Sequence, residues 1–174
     1  ANHSIPEGLA RILMRRHIDT EEKVSHFLYD DLANLSDPFL MKGMTEGVDR
    51  ILEALQKREK IVVYGDYDVD GITSTSILYL CLKGMGGDVD YYIPQRETEG
   101  YGLNAKALSY LAEKGFTLLI TVDCGISSAQ LIAQRPESLD IIVTDHHTPP
   151  DILPKCIAVI NPHQKDCPYP YKEL

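Results

Sequence analysis

The chain has 174 residues and a formal net charge of −9, from 26 acidic and 17 basic side chains. Its hydrophobic content of 44% is ordinary for a globular protein, and no apolar run reaches the roughly 20 residues of a membrane span. The acidic balance, taken alone, argues against a nucleic-acid-binding protein, which normally presents a basic face, but bound cations would offset several carboxylates.

Residues 1–58 are predicted to form a helical arm, because their apolar side chains recur at helical spacing. Three helices are predicted in this arm: residues 6–17, residues 19–29 with Asp19 as the N-cap, and a longer helix that begins at Asp37-Pro38. No chemistry is assigned to the arm.

From Lys60 onward the sequence alternates between strand and helix patterns, so residues 59–174 are predicted to form a separate domain. Strands are predicted over residues 61–65, 88–93, 117–122, 140–144 and 156–160, and helices over residues 72–83, 104–114 and 127–134. This alternation predicts an α/β fold, a Rossmann-like parallel sheet with helices on both faces.

Three of these strands end in acidic or imidazole side chains. The side chains are those of Asp66, Asp68 and Asp70 after the first strand, Asp123 after the third, and Asp145, His146 and His147 after the fourth. Because parallel strands point their carboxyl ends at one crevice, we expect these groups to converge. Their mutual repulsion would be relieved by cations, so the pattern predicts a divalent-metal hydrolytic site.

The run from Asp66 to Gly71 also matches the first half of an EF-hand calcium loop. That loop needs a bidentate glutamate at its twelfth position, which is Ile77 here, and a helix rather than a strand before it. The run instead predicts a turn from strand to helix, with Gly71 allowing a tight bend. The N–H groups of residues 72–74, among them Thr73 and Ser74, are then expected to hold a phosphate.

The other two strand ends favour the same chemistry. Ser127 is predicted to cap the next helix, which leaves Asp123 free to bridge two cations. Of the adjacent histidines, one can ligate a metal while the other donates to substrate, and Asp145 can fix a ring tautomer. An oxygen-rich set without thiolate favours Mn²⁺ or Mg²⁺, in a two-metal site that activates water.

The loop between residues 94 and 104 is expected to lie over this site. Arg96 could bind a phosphate with its guanidinium fork, and Tyr101 could stack on a base, although an ordinary surface loop is an equal alternative. No G-x-S-x-G, G-x-G-x-x-G or P-loop pattern is present, so a serine nucleophile and nucleotide cofactors are disfavoured.

The four cysteines contain no C-x-x-C pair, so neither a zinc ribbon nor a thioredoxin-like site is predicted. Cys156, His163 and Cys167 could alternatively form a loose metal clip. Scattered reduced cysteines fit a cytoplasmic protein. The first residues lack the features of a secretory signal. The missing initiator methionine suggests a trimmed or internal fragment, with removal by processing as the alternative.

Taken together, the motifs resemble those of the DHH phosphoesterase superfamily, and within it the RecJ family of bacterial exonucleases. The matching segments are Val63 to Gly71, Thr121 to Gly125, Thr144 to His147, Glu99 to Asn104, Asn161-Pro162, Cys167 to Tyr169 and Asp37 to Phe39. They extend over nearly the whole chain.

This resemblance implies a Mn²⁺- or Mg²⁺-dependent, single-strand-specific 5′-to-3′ DNA exonuclease of DNA repair and recombination. It implies that Asp68 and Asp70 bind metal, that Asp123 bridges and that His146 ligates. It gives Asp66 and His147 direct roles in catalysis, with His147 on the scissile phosphate. The remaining residues near the substrate would be Arg96, Tyr101, Asn104, Thr73 and Ser74, with Asp145 supporting a histidine.

The implied partners are single-stranded DNA, a single-strand-binding protein and a recombination helicase, without membrane association. Some relatives carry a histidine at the position of Tyr64, so one metal ligand would be missing here. The resemblance also implies a fourth acidic motif and a second domain beyond Leu174, so the chain alone is expected to have little or no activity. Two alternatives are a phosphodiesterase for short oligonucleotides, cyclic dinucleotides or pyrophosphate, and a non-catalytic replication scaffold.

Overall fold

A parallel five-stranded sheet forms the centre of the fold, in the order β2-β1-β3-β4-β5. The computed structural model describes residues 5–31 and 34–172. The strands are β1 (Lys60–Tyr64), β2 (Asp88–Tyr92), β3 (Leu118–Thr121), β4 (Asp140–Thr144) and β5 (Ala158–Ile160). The predicted parallel α/β fold is thereby confirmed.

Six α-helices occur within the described residues. They are α1 (Glu7–Arg15), α2 (Glu21–Tyr29), α3 (Met44–Lys57), α4 (Val69–Gly84), α5 (Ala105–Glu113) and α6 (Ala129–Ala133). None of the helices in the described part of the chain is long and apolar enough to cross a lipid bilayer.

Both faces of the sheet are buried, as parallel sheets require. Val62, Leu119 and Ile141 pack with residues of α5 and α6 on one face. Val63, Ile120 and Ile142 pack with residues of α3 and α4 on the other. Successive strand residues therefore enter opposite halves of the core, and the strands read as continuous apolar runs rather than as alternating ones.

The contacts divide the chain into two compact units, residues 1–37 and residues 38–174. The second unit begins at Pro38 rather than at the predicted boundary after residue 58. The reason is that Ala54 of α3 is fully buried in the core of the sheet, with Ile51 and Leu55 packed beside it. Helix α3 is thus part of the sheet-containing unit.

The third predicted helix begins later than Asp37-Pro38. Residues Pro38–Leu40 form only a short 3₁₀ turn, and α3 starts at Met44. Gly43 separates the two with a φ of 85°, and a Cβ there would lie 2.5 Å from the carbonyl oxygen of Val159. The chain must therefore pass close to β5 before it can turn into the helix.

Two predicted helix starts were also wrong. Thr20, not Asp19, caps α2, because its hydroxyl accepts the N–H of Lys23 while Asp19 pairs with the Lys23 ammonium group. Ser127 does not cap α6, which begins at Ala129 after an N-cap at Ser128 without a side-chain hydrogen bond.

Candidate metal centre

The first acidic motif lies where β1 turns into α4. Asp66 is buried, with 1% of its surface exposed. Asp68 is the N-cap of α4, and its carboxylate accepts the backbone N–H of Gly71 at 2.9 Å. This hydrogen bond is the main reason that the pKa of Asp68 lies below its ordinary value.

The expected phosphate cradle at residues 72–74 is not formed, because α4 begins three residues earlier than predicted. The N–H of Ile72 donates to the carbonyl oxygen of Asp68 at 2.9 Å. Thr73 and Ser74 lie one turn further along, where helical N–H groups bond to carbonyls four residues back. Their side chains still line the cleft, although the hydroxyl of Thr73 donates to Val69.

Gly71 is needed for close packing rather than for a left-handed turn. A Cβ at this position would lie 2.5 Å from the carbonyl oxygen of Asp66 and 2.6 Å from its nitrogen. No side chain fits there without moving the backbone of the motif. Gly71 thereby fixes how closely α4 approaches Asp66.

Asp123 follows β3 with its backbone in the left-handed region, at a φ of 61°. Its side chain is nearly buried, and burial together with the neighbouring charge of Asp68 raises the pKa of Asp123. Residues held in such a conformation carry backbone strain, which is common at functional sites. No pattern in the sequence indicates this strain.

The third motif follows β4. His146 Nε2 lies 3.0 Å from Asp123 Oδ1. His147 Nδ1 lies 2.7 Å from Asp145 Oδ1, and this hydrogen bond is the main reason that the pKa of His147 is raised. Asp145 also accepts the N–H of Ile126 through Oδ2. Asp145 therefore holds the Nδ1 side of the His147 ring and leaves its Nε2 for a further contact.

Two clusters of potential ligands result. One contains Asp66, Asp68 and Asp123, the other Asp123, His146 and His147, and the ligand atoms of each lie within 4.8 Å of one another. Asp123 is common to both, as a bridging carboxylate would be. Within the described residues, neither cluster includes Asp70, which instead lines the adjoining cleft of ≈ 340 Å³.

An unsatisfied buried atom tests whether these residues suit a cation. Asp66 Oδ1 is buried and has no hydrogen-bond partner. A buried carboxylate oxygen without a donor is unfavourable unless something else neutralises it. A hard divalent cation among Asp66, Asp68 and Asp123 would supply that partner, so the donor set fits Mn²⁺ or Mg²⁺.

Arg96 and Tyr101, both in the loop before α5, make different contacts near the site. The guanidinium of Arg96 lies 5.3 Å from the centre of the Tyr67 ring, next to the first acidic motif. The hydroxyl of Tyr101 donates to the carbonyl oxygen of Asp123 at 3.2 Å, and its ring contacts His147. Tyr101 thus contacts two residues of the clusters, whereas Arg96 contacts Tyr67 of the first motif.

Asn104, expected near the substrate, is engaged within the protein. Its carbonyl oxygen accepts the N–H of Ala107 and so caps α5, while its amide donates to Tyr64 and Glu99. Tyr64, the position where some relatives carry a histidine, is fully buried and donates to the carbonyl oxygen of Gly102. Both side chains support the loop instead of facing the cleft.

The less favoured alternative, a metal clip of Cys156, His163 and Cys167, is not among the clusters of the described residues. Cys156 contacts the carbonyl oxygen of Ala158, and Cys167 accepts the N–H of Lys42.

Comparison with known proteins is consistent with this geometry. Residues 60–169, more than half of the chain, match the DHH family, N-terminal domain. The chain belongs to the DHH family.

Among curated relatives, the single-stranded-DNA-specific exonuclease RecJ of Bacillus subtilis is 47% identical over 167 residues, which cover 95% of this chain and 21% of that protein. The protein of the same name from Haemophilus influenzae is 38% identical over 176 residues, covering 100% of this chain and 29% of that protein. The chain therefore spans less than a third of the length of either relative.

Two solved structures are similar. A RecJ exonuclease bound to manganese has a TM-score of 0.67 and 35% identity, over 76% of this chain and 34% of that one. RecJ from Thermus thermophilus in complex with Mn²⁺ has a TM-score of 0.66 and 28% identity, over 94% of this chain and 24% of that one. The DHH-type fold of the chain agrees with both.

Asn161 lies near the metal centre, and its sequence pattern alone indicated no role for it. It is fully buried after β5, and its amide donates to the carbonyl oxygen of His147 at 2.9 Å. Its own carbonyl oxygen accepts the N–H of His163. The Asn161-Pro162 pair is visible in the sequence, but only the fold shows that Asn161 contacts the backbone of His147.

Proposed function

We propose that this chain supplies the metal-binding part of a single-strand-specific 5′-to-3′ DNA exonuclease that acts in DNA repair and recombination. The observation that carries the proposal is the convergence of Asp66, Asp68, Asp123 and His146, with a buried Asp66 oxygen that lacks a partner. The RecJ relatives support DNA as the substrate.

In this proposal Asp66 and Asp68 would hold one cation and His146 a second, and Asp123 would contribute to both sites because it belongs to both clusters. Bound there, Mn²⁺ or Mg²⁺ would activate water and stabilise the leaving oxygen. Asp70, expected from the resemblance to bind metal, lines the cleft at the start of α4 and lies outside both clusters of the described residues. Cations bound to these carboxylates would offset negative charge locally, where the DNA phosphate has to approach, in a chain of net charge −9.

His147 is proposed to contact the scissile phosphate, with its ring held by Asp145. Arg96 is proposed to bind a flanking phosphate, since its guanidinium lies over the ring of Tyr67, the residue between Asp66 and Asp68 in the sequence. Thr73 and Ser74 are retained as cleft-lining hydroxyls, not as a backbone cradle. A single-strand-binding protein and a recombination helicase are proposed as the chain's protein partners.

The isolated chain is expected to have little activity, so the test uses a chimera. The matching region of the Bacillus subtilis relative is replaced by this chain, and Mn²⁺-dependent release of nucleotides from 5′-labelled single strands is measured. We expect activity on single strands, little on duplexes, and none in the Asp123→Asn chimera. Failure of a folded chimera on long single strands, together with turnover of cyclic dinucleotides or pyrophosphate, would refute the proposal in favour of a small-substrate phosphodiesterase.

A further inference from the structure

Tyr101 contacts two residues of the metal centre, Asp123 and His147. Its hydroxyl donates to the carbonyl oxygen of Asp123 at 3.2 Å. Its ring meets that of His147 edge-to-face, with the ring centres 6.1 Å apart and the planes at 79°. One side chain therefore touches the backbone of the shared carboxylate and the imidazole expected on the phosphate.

The backbone of Asp123 needs such a contact. A φ of 61° is strained for a residue with a side chain, and strained residues persist only where their surroundings fix them. Because Asp123 contributes to both ligand clusters, relaxation of its backbone would move its carboxylate relative to Asp68 and His146 together. The hydrogen bond from Tyr101 opposes that relaxation.

Tyr101 is itself held from the core of the domain. It lies between Gly100 and Gly102, whose φ values are 79° and 75°. The carbonyl oxygen of Gly102 accepts a hydrogen bond of 2.9 Å from Tyr64, a fully buried residue of β1. Glu99 is fixed in turn by the backbone N–H of Gln95. The segment around Tyr101 is thus tied to the sheet through Gly102, although the Tyr101 side chain itself is 55% exposed.

We propose that Tyr101 is a positioning residue, which holds the Asp123 backbone and the His147 ring where the metal centre and the substrate phosphate require them. This inference rests on the proposed function and deepens it. It differs from the base-stacking role expected from the sequence, because it uses the hydroxyl and the ring edge of Tyr101. Stacking would use the ring face and would not need the hydroxyl.

The test is Tyr101→Phe, which removes the hydroxyl and keeps the ring, with Tyr110→Phe on the exposed side of α5 as the matched control. Two measurements are made on the chain itself: Mn²⁺ affinity by calorimetry, and the NMR shifts of the His147 ring and the Cys124 amide without metal. We expect Tyr101→Phe to lower Mn²⁺ affinity about two- to tenfold, the effect of one neutral hydrogen bond, and to shift both signals. The control should change neither.

In the chimera, Tyr101→Phe should lower kcat and leave KM for single-stranded DNA unchanged. If Tyr101 instead stacked on a base, Tyr101→Phe would have no effect, and only Tyr101→Leu, which removes the ring, would change KM. Unchanged Mn²⁺ affinity and unchanged His147 and Cys124 signals in Tyr101→Phe would overturn the inference. If the wild-type chain binds no Mn²⁺, the proposed function fails, and the metal-free NMR shifts still decide the positioning role. Tyr64→Phe, which frees Gly102, should move the same two signals in the same direction.

Discussion

Asp145 joins two loops of the metal centre, because its Oδ2 accepts the backbone N–H of Ile126 at 2.9 Å while its Oδ1 contacts His147. Ile126 belongs to the segment after β3, and His147 to the segment after β4. One buried carboxylate thus fixes the segment that carries Asp123 relative to the histidines.

Asp145→Asn should therefore destabilise the fold. An amide offers one acceptor where the carboxylate uses two, and its NH₂ group would face the buried N–H of Ile126 or the imidazole. Leaving one buried donor unpaired costs about 1–3 kcal/mol, and urea unfolding should show a loss of that size. The exposed Asp151 is the control, since Asp151→Asn should change the free energy of unfolding by less than about 0.5 kcal/mol.

The lowered pKa of Glu59 predicts that the protein loses stability in acid. Burial alone would raise its pKa, but hydrogen bonds from Arg50 and Thr117 and the charge of Arg50 outweigh burial, so the pKa lies below the ordinary 4.5. A lowered pKa in the folded state stabilises the protein above pH 4.5, and this contribution disappears as pH falls through the folded-state pKa.

Wild type should therefore exceed Glu59→Gln in unfolding free energy by about 1.5–3 kcal/mol at pH 7, the range for hydrogen bonds to charged groups. Denaturant unfolding from pH 7 to pH 3 measures the gap, which should narrow below pH 4.5. If the difference in unfolding free energy between wild type and Glu59→Gln stayed constant from pH 7 to pH 3, the charge of the Glu59 carboxylate would not be what stabilises the fold.

Substitution by alanine should change the free energy of unfolding in opposite directions at Gly71 and Gly84, although both residues lie in α4. Gly71→Ala places a Cβ 2.5 Å from Asp66, so it should destabilise by about 1–3 kcal/mol and weaken Mn²⁺ binding. Gly84 has no neighbour within 4 Å of such a Cβ, and Gly84→Ala should stabilise by about 0.4–1 kcal/mol. Thermal unfolding with and without Mn²⁺ compares them, and similar behaviour of the two variants would argue against the packing role of Gly71.

The sequence was sufficient to predict which side chains converge, because parallel strands must end at one edge of the sheet. For that reason Asp68, Asp123 and the pair His146-His147 could be expected at one edge of the sheet, whereas the choice of His146 as the ligand came from the family resemblance. What it could not predict depends on local competition for hydrogen bonds: Asp68 caps α4 and moves its start to Val69, and Asn104 is engaged in capping α5.

Long-range contacts were equally hidden. Arg50 of α3 pairs with Glu59 and Asp140, and nothing in the spacing of these residues predicts the ion pairs. They help to explain why α3 belongs to the sheet unit, while its amphipathic pattern alone also fitted a separate arm. The strained backbone of Asp123 is likewise visible only in the fold.

The metal centre is tested most directly by anomalous diffraction from crystals of this chain grown with Mn²⁺. We expect an anomalous peak within bonding distance of the Asp68 and Asp123 carboxylates, with Asp66 Oδ1 turned toward it. Asp123→Asn crystals should show no such peak. Crystals at saturating Mn²⁺ that show no peak at this position, or an equal peak after the Asp123→Asn substitution, would contradict a metal centre built on Asp123.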